Sequence, residues 1–130
     1  MSKHEDYLTK RKVVQGLIDG WKSEYGVEEF NIEFTGWRKL HADNPHGLRL
    51  GQYNGYHDPL RCEIHLDDGW EDNSLGWLET SVLWHEFCHC VAYLEDGVCD
   101  SHNRHWFNLT WRKPWYVIGD WVAKAVYFMM

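Results

Sequence analysis

Nothing in this 130-residue chain approaches the roughly 20 consecutive apolar residues that cross a bilayer, so no membrane-spanning role is expected. An excess of basic residues is missing as well. Thirteen Lys and Arg stand against twenty Asp and Glu, a net charge of −7. That balance favours solubility and works against a general attraction to nucleic-acid phosphate. The N-terminus, Met1-Ser2-Lys3-His4-Glu5-Asp6, is polar with no apolar run behind it, unlike a secretory leader. An intracellular, cytoplasmic protein is therefore expected. Cysteines are few: Cys62, Cys88, Cys90 and Cys99 make no C-x-x-C pair, and none follows Cys99. Neither a disulfide nor a cysteine-based zinc site is expected, and the thiols read as reduced and mostly buried. Repeats, low-complexity tracts and linkers are absent too, so residues 1–130 are expected to form a single domain.

What the chain does hold is a heavy apolar load, 44% hydrophobic with nine Trp, enough for a sizeable core. The stretch from Ser81 to Leu94 contains His85-Glu86-Phe87-Cys88-His89, which fits H-E-x-x-H. On an α-helix, residues four apart lie about 40° from each other around the axis, on one face. Both imidazoles can then reach one metal ion. Glu86 sits about 100° round from His85, too far for a natural third ligand but near enough to touch a water at the metal. The pattern therefore assigns His85 and His89 to zinc and Glu86 to taking a proton from water. A chance match would leave two histidines on a helix flanked by Val82, Leu83, Trp84, Phe87, Val91 and Leu94. Unpaired histidines on a buried helix are costly.

A catalytic zinc site needs a third protein ligand. The helix is expected to end at Asp96-Gly97, and Asp96, Asp100, His102 and His105 all lie within reach of the turn that follows. Counting excludes two familiar arrangements. In H-E-x-x-H-x-x-G-x-x-H the glycine and last histidine would fall at Ala92 and Glu95, and a glutamate on a later helix is ruled out because none follows Glu95.

The segment from His85 through Asp96-Gly97 to Asp100-Ser101-His102, with Trp106 beyond it, resembles the SprT-like metalloprotease family, which includes the Spartan proteases. The strong part of the likeness covers about twenty residues, with weaker similarity back to about Glu33. The resemblance implies that His102 is the third ligand, twelve residues after His89 are counted off, and that Trp106 is the family's aromatic. Asn103 stands where the family has glycine; Asn tolerates a left-handed backbone, the conformation expected there. Many relatives add a C-terminal zinc ribbon, which is not expected here because no cysteine follows Cys99.

Along the rest of the chain, Leu8, Val14, Leu17, Ile18, Trp21 and Tyr25 recur at helical steps, giving an amphipathic helix over 7–25. Its Lys10-Arg11-Lys12 run reads as a solvated face. Residues 30–34, 48–50 and 62–66 alternate as strands, with Asn54-Gly55 and Asp58-Pro59 as turns between them. His41, His46, His57 and His65 are scattered here without ligand spacing and read as surface or hydrogen-bonding residues. Asn73 or Ser74 is expected to cap the metal helix. A short helix over 104–112 stops before Pro114, with Trp106, Leu109 and Phe107 inward, and 115–130 suits either helix or strand.

These readings combine into an α+β domain of minimal zincin type, a small antiparallel sheet packed on the H-E-x-x-H helix. The resemblance implies a zinc-dependent endopeptidase holding one Zn²⁺ through His85, His89 and His102, with Glu86 as general base. Its expected partners are protein or peptide substrates. The Spartan branch acts on DNA-associated proteins, but the charge balance predicts that DNA is bound only weakly or through another protein. By analogy with zincins, a strand at 48–53 or 62–66 is the substrate-docking edge. Tyr53, Tyr56, Arg104 and His105 are candidates for steadying the oxyanion. The competing expectation is a non-proteolytic, zinc-stabilised binding module that works through its Trp-rich surface.

Overall fold

The computed structural model describes residues 3–40, 49–97 and 102–128. Helix α2, Trp77–Asp96, is its centre. From Glu79 to Leu94 every residue of α2 is buried except His85. Such a helix needs cover on all sides. The sheet provides it on one side, α4 (Pro114–Phe128) and α3 (Arg104–Thr110) on another, and α1 (Lys3–Glu24) closes the core. Gly97, with φ of 73°, ends α2 in the left-handed conformation and donates its N–H to the Tyr93 carbonyl. The start differs from expectation. Gly76 is the N-cap and gives no side-chain bond, while Asn73 instead donates to the Gly69 carbonyl.

The three strands are β1 (Ile32–Arg38), β2 (Gly51–His57) and β3 (Leu60–Asp67), in the order β1-β3-β2. β2 and β3 form an antiparallel hairpin across Asp58-Pro59, but β1 runs parallel to β3. The sheet is therefore mixed, which corrects the antiparallel expectation. The hairpin docks on β1 through its second strand, and that choice sets the direction of the pair. Asn54-Gly55 is not a turn either; it lies inside β2. A Cβ on Gly55 would stand 2.5 Å from the Tyr93 ring, so glycine is there to let the strand pass over α2. Arg49 and Leu50 precede β2, and Leu48, like His41 and His46, lies outside the described residues.

The outer edge of β1 is covered by α1. The Gln15 side-chain amide donates to the Ile32 carbonyl (3.1 Å), and its oxygen accepts from the Phe34 N–H (2.7 Å), as a neighbouring strand would do. β2 has no such cover among the described residues, leaving it as the sheet's open edge. Lys10 departs from the solvated-face expectation. Its side chain is 12% exposed; it donates to the Trp70 carbonyl and, at 2.8 Å, to Glu79, which also accepts from Trp37 Nε1 at 2.8 Å. That buried pair fastens α1 to β1 and to the first turn of α2.

Cys62 on β3 and Cys90 on α2 are joined in a disulfide, contrary to the expectation of free thiols. The residues are distant in sequence, so no local motif announces the pair. Cys88, on another face of α2, is a buried free thiol. The 115–130 ambiguity resolves as helix through Phe128, and Gly119 allows the close α4–α2 approach, since a Cβ there would meet Ser81 Oγ at 1.9 Å. No helix among the described residues is long and apolar enough to cross a membrane.

Candidate metal centre

His85 and His89 leave α2 on the same face, as their spacing requires, with ring centroids 4.9 Å apart. His102 reaches them from the segment before α3, 5.2 Å from His85 and 5.1 Å from His89. One ring nitrogen from each of the three lies within 4.8 Å of the others. Only neutral imidazoles can offer lone pairs to a metal. Burial first, and then the neighbouring His85 and His102, push His89 down to about 2, and burial also lowers His102.

Trp106 packs against all three rings of the cluster. Its ring stacks on His102 at 4.2 Å and on His89 at 5.0 Å, and its Nε1 donates to the His85 carbonyl at 3.3 Å. Asn103 positions it. Rather than taking a left-handed conformation, Asn103 is extended (φ −75°, ψ 178°) and caps α3, its Oδ1 accepting from the Trp106 N–H at 2.9 Å. Asn103 thus supplies the N-cap of α3.

Glu86 points into the interior beside the cluster. Its Oε1 lies 3.9 Å from His85 Nε2, and its buried Oε2 has no hydrogen-bond partner. Burial raises its pKa, and the nearby His85 only partly offsets this. A buried carboxylate oxygen left unsatisfied costs on the order of 1–3 kcal/mol, the kind of defect that a fold keeps at working sites. β2 passes directly over it. A Cβ at Gly51 would meet Glu86 Cγ at 2.8 Å and Val82 Cγ1 at 2.9 Å. The strand continues along α2, with Tyr53 stacked on His89 at 4.6 Å and Gly55 against Tyr93.

One residue of the site was not foreseen. Asp120, buried on α4, places Oδ2 3.3 Å from His85 Nδ1 and accepts from Lys124 at 2.9 Å. Burial works to raise its pKa, but His85 and Lys124 outweigh it and hold the carboxyl below its ordinary range. With Nδ1 turned to Asp120, His85 keeps Nε2 for the cluster. The signal was a single carboxylate in an otherwise apolar segment, with a lysine four residues on.

The other candidates lie elsewhere. His105 pairs with Glu95 at 2.8 Å and lines a separate cavity of about 130 Å³ with Phe87 and Cys88. Asp96 is exposed at the end of α2, and Asp100 lies outside the described residues. Of the oxyanion candidates, Tyr56 is engaged with Glu63 and Arg61, Arg104 is exposed at the start of α3, and Tyr53 stacks on His89. His65 bonds Thr35 and His57 packs on Tyr93, as their scattered spacing implied. Comparison with known proteins gives no match, whether by family model, by curated sequence or by solved structure.

Proposed function

We propose that the chain is a zinc-dependent endopeptidase of the SprT-like kind, a minimal zincin domain cutting unstructured polypeptide. The observation that carries this reading is the convergence of three imidazoles beside a buried carboxylate with an unsatisfied oxygen, next to the open edge of a sheet. Three histidines with no thiolate are a donor set suited to catalytic zinc, which keeps a fourth position for water or substrate. A site serving stability alone has no need of Glu86.

In this reading His85, His89 and His102 hold one Zn²⁺, and Asp120 fixes the tautomer and orientation of His85. The ion, when bound, supplies Lewis-acid polarisation of the scissile carbonyl and acidifies water. Glu86 takes the proton of the attacking water at its carboxylate and later delivers it to the leaving amine. Its raised pKa suits it to that exchange. The substrate backbone pairs with β2, which runs beside the metal helix, in the manner of an added strand. Of the two strands considered for docking, β3 is excluded because it lies between β1 and β2. Tyr53, whose ring stacks on His89, is assigned as the donor to the developing oxyanion. Any association with DNA is assigned to a partner, because the net charge of −7 repels phosphate and Lys124, the lysine beside the site, is paired with Asp120.

The test is Glu86→Gln. It is expected to keep zinc at the wild-type level, since Glu86 is not a ligand, while cleavage of a reduced, carboxymethylated protein falls by at least about 100-fold. Near wild-type cleavage by that variant removes the base assignment and most of the mechanism with it.

A further inference from the structure

Helices α3 and α4 each serve two surfaces. Inward, they supply Trp106 and Asp120 to the metal centre. Outward, α3, α4 and the turn between them leave Phe107, Trp111 and Trp121 exposed, at 52, 39 and 58%. A single exposed indole is ordinary, but a contiguous group marks a contact surface. Here the rings touch in series, Phe107 to Trp111 at 5.9 Å and Trp111 to Trp121 at 6.0 Å. Trp121 then shares a small cavity with His85, Trp106 and Asp120. The aromatic shelf therefore begins at the metal centre and runs outward from it.

We infer that this shelf seats large apolar side chains of the substrate, so that the enzyme favours unfolded segments carrying an aromatic or large aliphatic residue beside the scissile bond. The inference rests on the endopeptidase reading and names its substrate class. β2 lies on one side of the metal cluster, through Tyr53 on His89, and the shelf lies on the other, through Asp120 and Trp106 on His85. A chain paired with β2 is held by its backbone, which is blind to sequence. Selectivity must come from side chains, and those projecting across the cluster meet indole rings. Rigid aromatic rings give contact area at low entropic cost. An acidic substrate is not favoured, since Arg112 lies over the Tyr25 ring at 5.1 Å and Lys113 and Lys124 are paired with carboxylates. A folded protein offers neither a free strand nor an uncovered aromatic residue, so the two requirements together select unfolded chain.

The experiment uses zinc-loaded full chain and two peptides that differ only in carrying Phe or Ser beside the cleaved bond. For wild type, kcat/KM is expected to be at least about tenfold higher with Phe, the discrimination that an apolar contact provides. Trp111→Ser combined with Trp121→Ser is expected to bring that ratio near one. Val13→Ser, an equally exposed apolar change on α1, leaves the ratio as it was. Zinc content of one per chain shows that a variant is folded, and Trp121→Leu alone, which keeps an apolar side chain, is expected to retain most of the preference. If the double variant cleaves with the wild-type ratio, the shelf inference is overturned while the endopeptidase reading stands. If wild type cuts neither peptide, the endopeptidase reading fails, and fluorescence anisotropy of the labelled peptides decides the shelf. Phe-selective binding lost in the double variant supports it as a peptide surface, and equal binding of both peptides, or none, overturns it. Sedimentation showing a dimer that the double variant abolishes also overturns it, assigning the rings to a second copy of the chain.

Discussion

A histidine presents two nitrogens, and the one left for a metal depends on what the other holds. Asp120 makes that choice for His85 from a different helix. Replacing a carboxylate behind a ligating imidazole typically costs 10- to 100-fold in metal affinity. Asp120→Asn is accordingly expected to weaken zinc binding by about that factor in a chelator competition titration, with His102→Ala more severe still. Unchanged affinity for Asp120→Asn would reduce the contact to simple packing. His105→Ala provides the contrast, because His105 is occupied by Glu95 and should leave zinc content at about one per chain. If His105→Ala strips the metal and His102→Ala does not, the third ligand has been misassigned. The reach of each contact explains which of these residues could be read in advance. His85, Glu86 and His89 are related by one helical turn, which any sequence displays. His102 needed a family likeness to separate it from Asp96, Asp100 and His105. Asp120 touches His85 only after α4 has packed on α2, and nothing local in the sequence encodes that.

At the scale of elements, alternation revealed three strands but not their partners. Period two says which residues share a face and is silent about the neighbour, so the parallel β1–β3 pairing could not be seen. Gly55 misled for a related reason: Asn-Gly signals a hairpin only where the chain is free to turn. Here the glycine answers to the Tyr93 ring beneath it. The Cys62–Cys90 link was missed because it depends on β3 lying against α2. It closes a loop with a sequence separation of 28 residues. Chain-entropy arithmetic for a loop of that size gives about 3–4 kcal/mol of stabilisation. Cys62→Ser with Cys90→Ser is expected to lose about that much in urea unfolding, and reductant should bring wild type close to the variant. Coincident unfolding midpoints for variant and oxidised wild type would show that the link adds no stability. The helices were more legible than the sheet. The metal helix ends at the expected turn and α3 stops before Pro114, because Gly and Pro act through the backbone itself.

At the scale of the whole molecule, acid tests the site without any substrate. His65, His89 and His102 are all held below the ordinary histidine value, in each case chiefly by burial. Unfolded, they take up protons near 6.5, while the folded chain does not. Below that pH the unfolded state binds more protons, so the histidines' contribution is present above about 6.5 and is lost as pH falls. Glu79 and Glu86, raised by burial, act in the opposite sense, so the histidine contribution is read as a difference between proteins. In chelator-treated protein the melting temperature of wild type relative to that of His89→Gln should drop between pH 7.5 and 5.5, and a rise over that interval would sink the account. The Gln15 amide on β1 has a consequence at the same scale. With α1 closing one margin and β2 uncovered among the described residues, the sheet is, in the language of polymer chemistry, monofunctional. Backbone pairing can join it to one further strand and then stops. Two copies meeting through β2 would make a terminated pair of sheets rather than a growing fibre of paired strands.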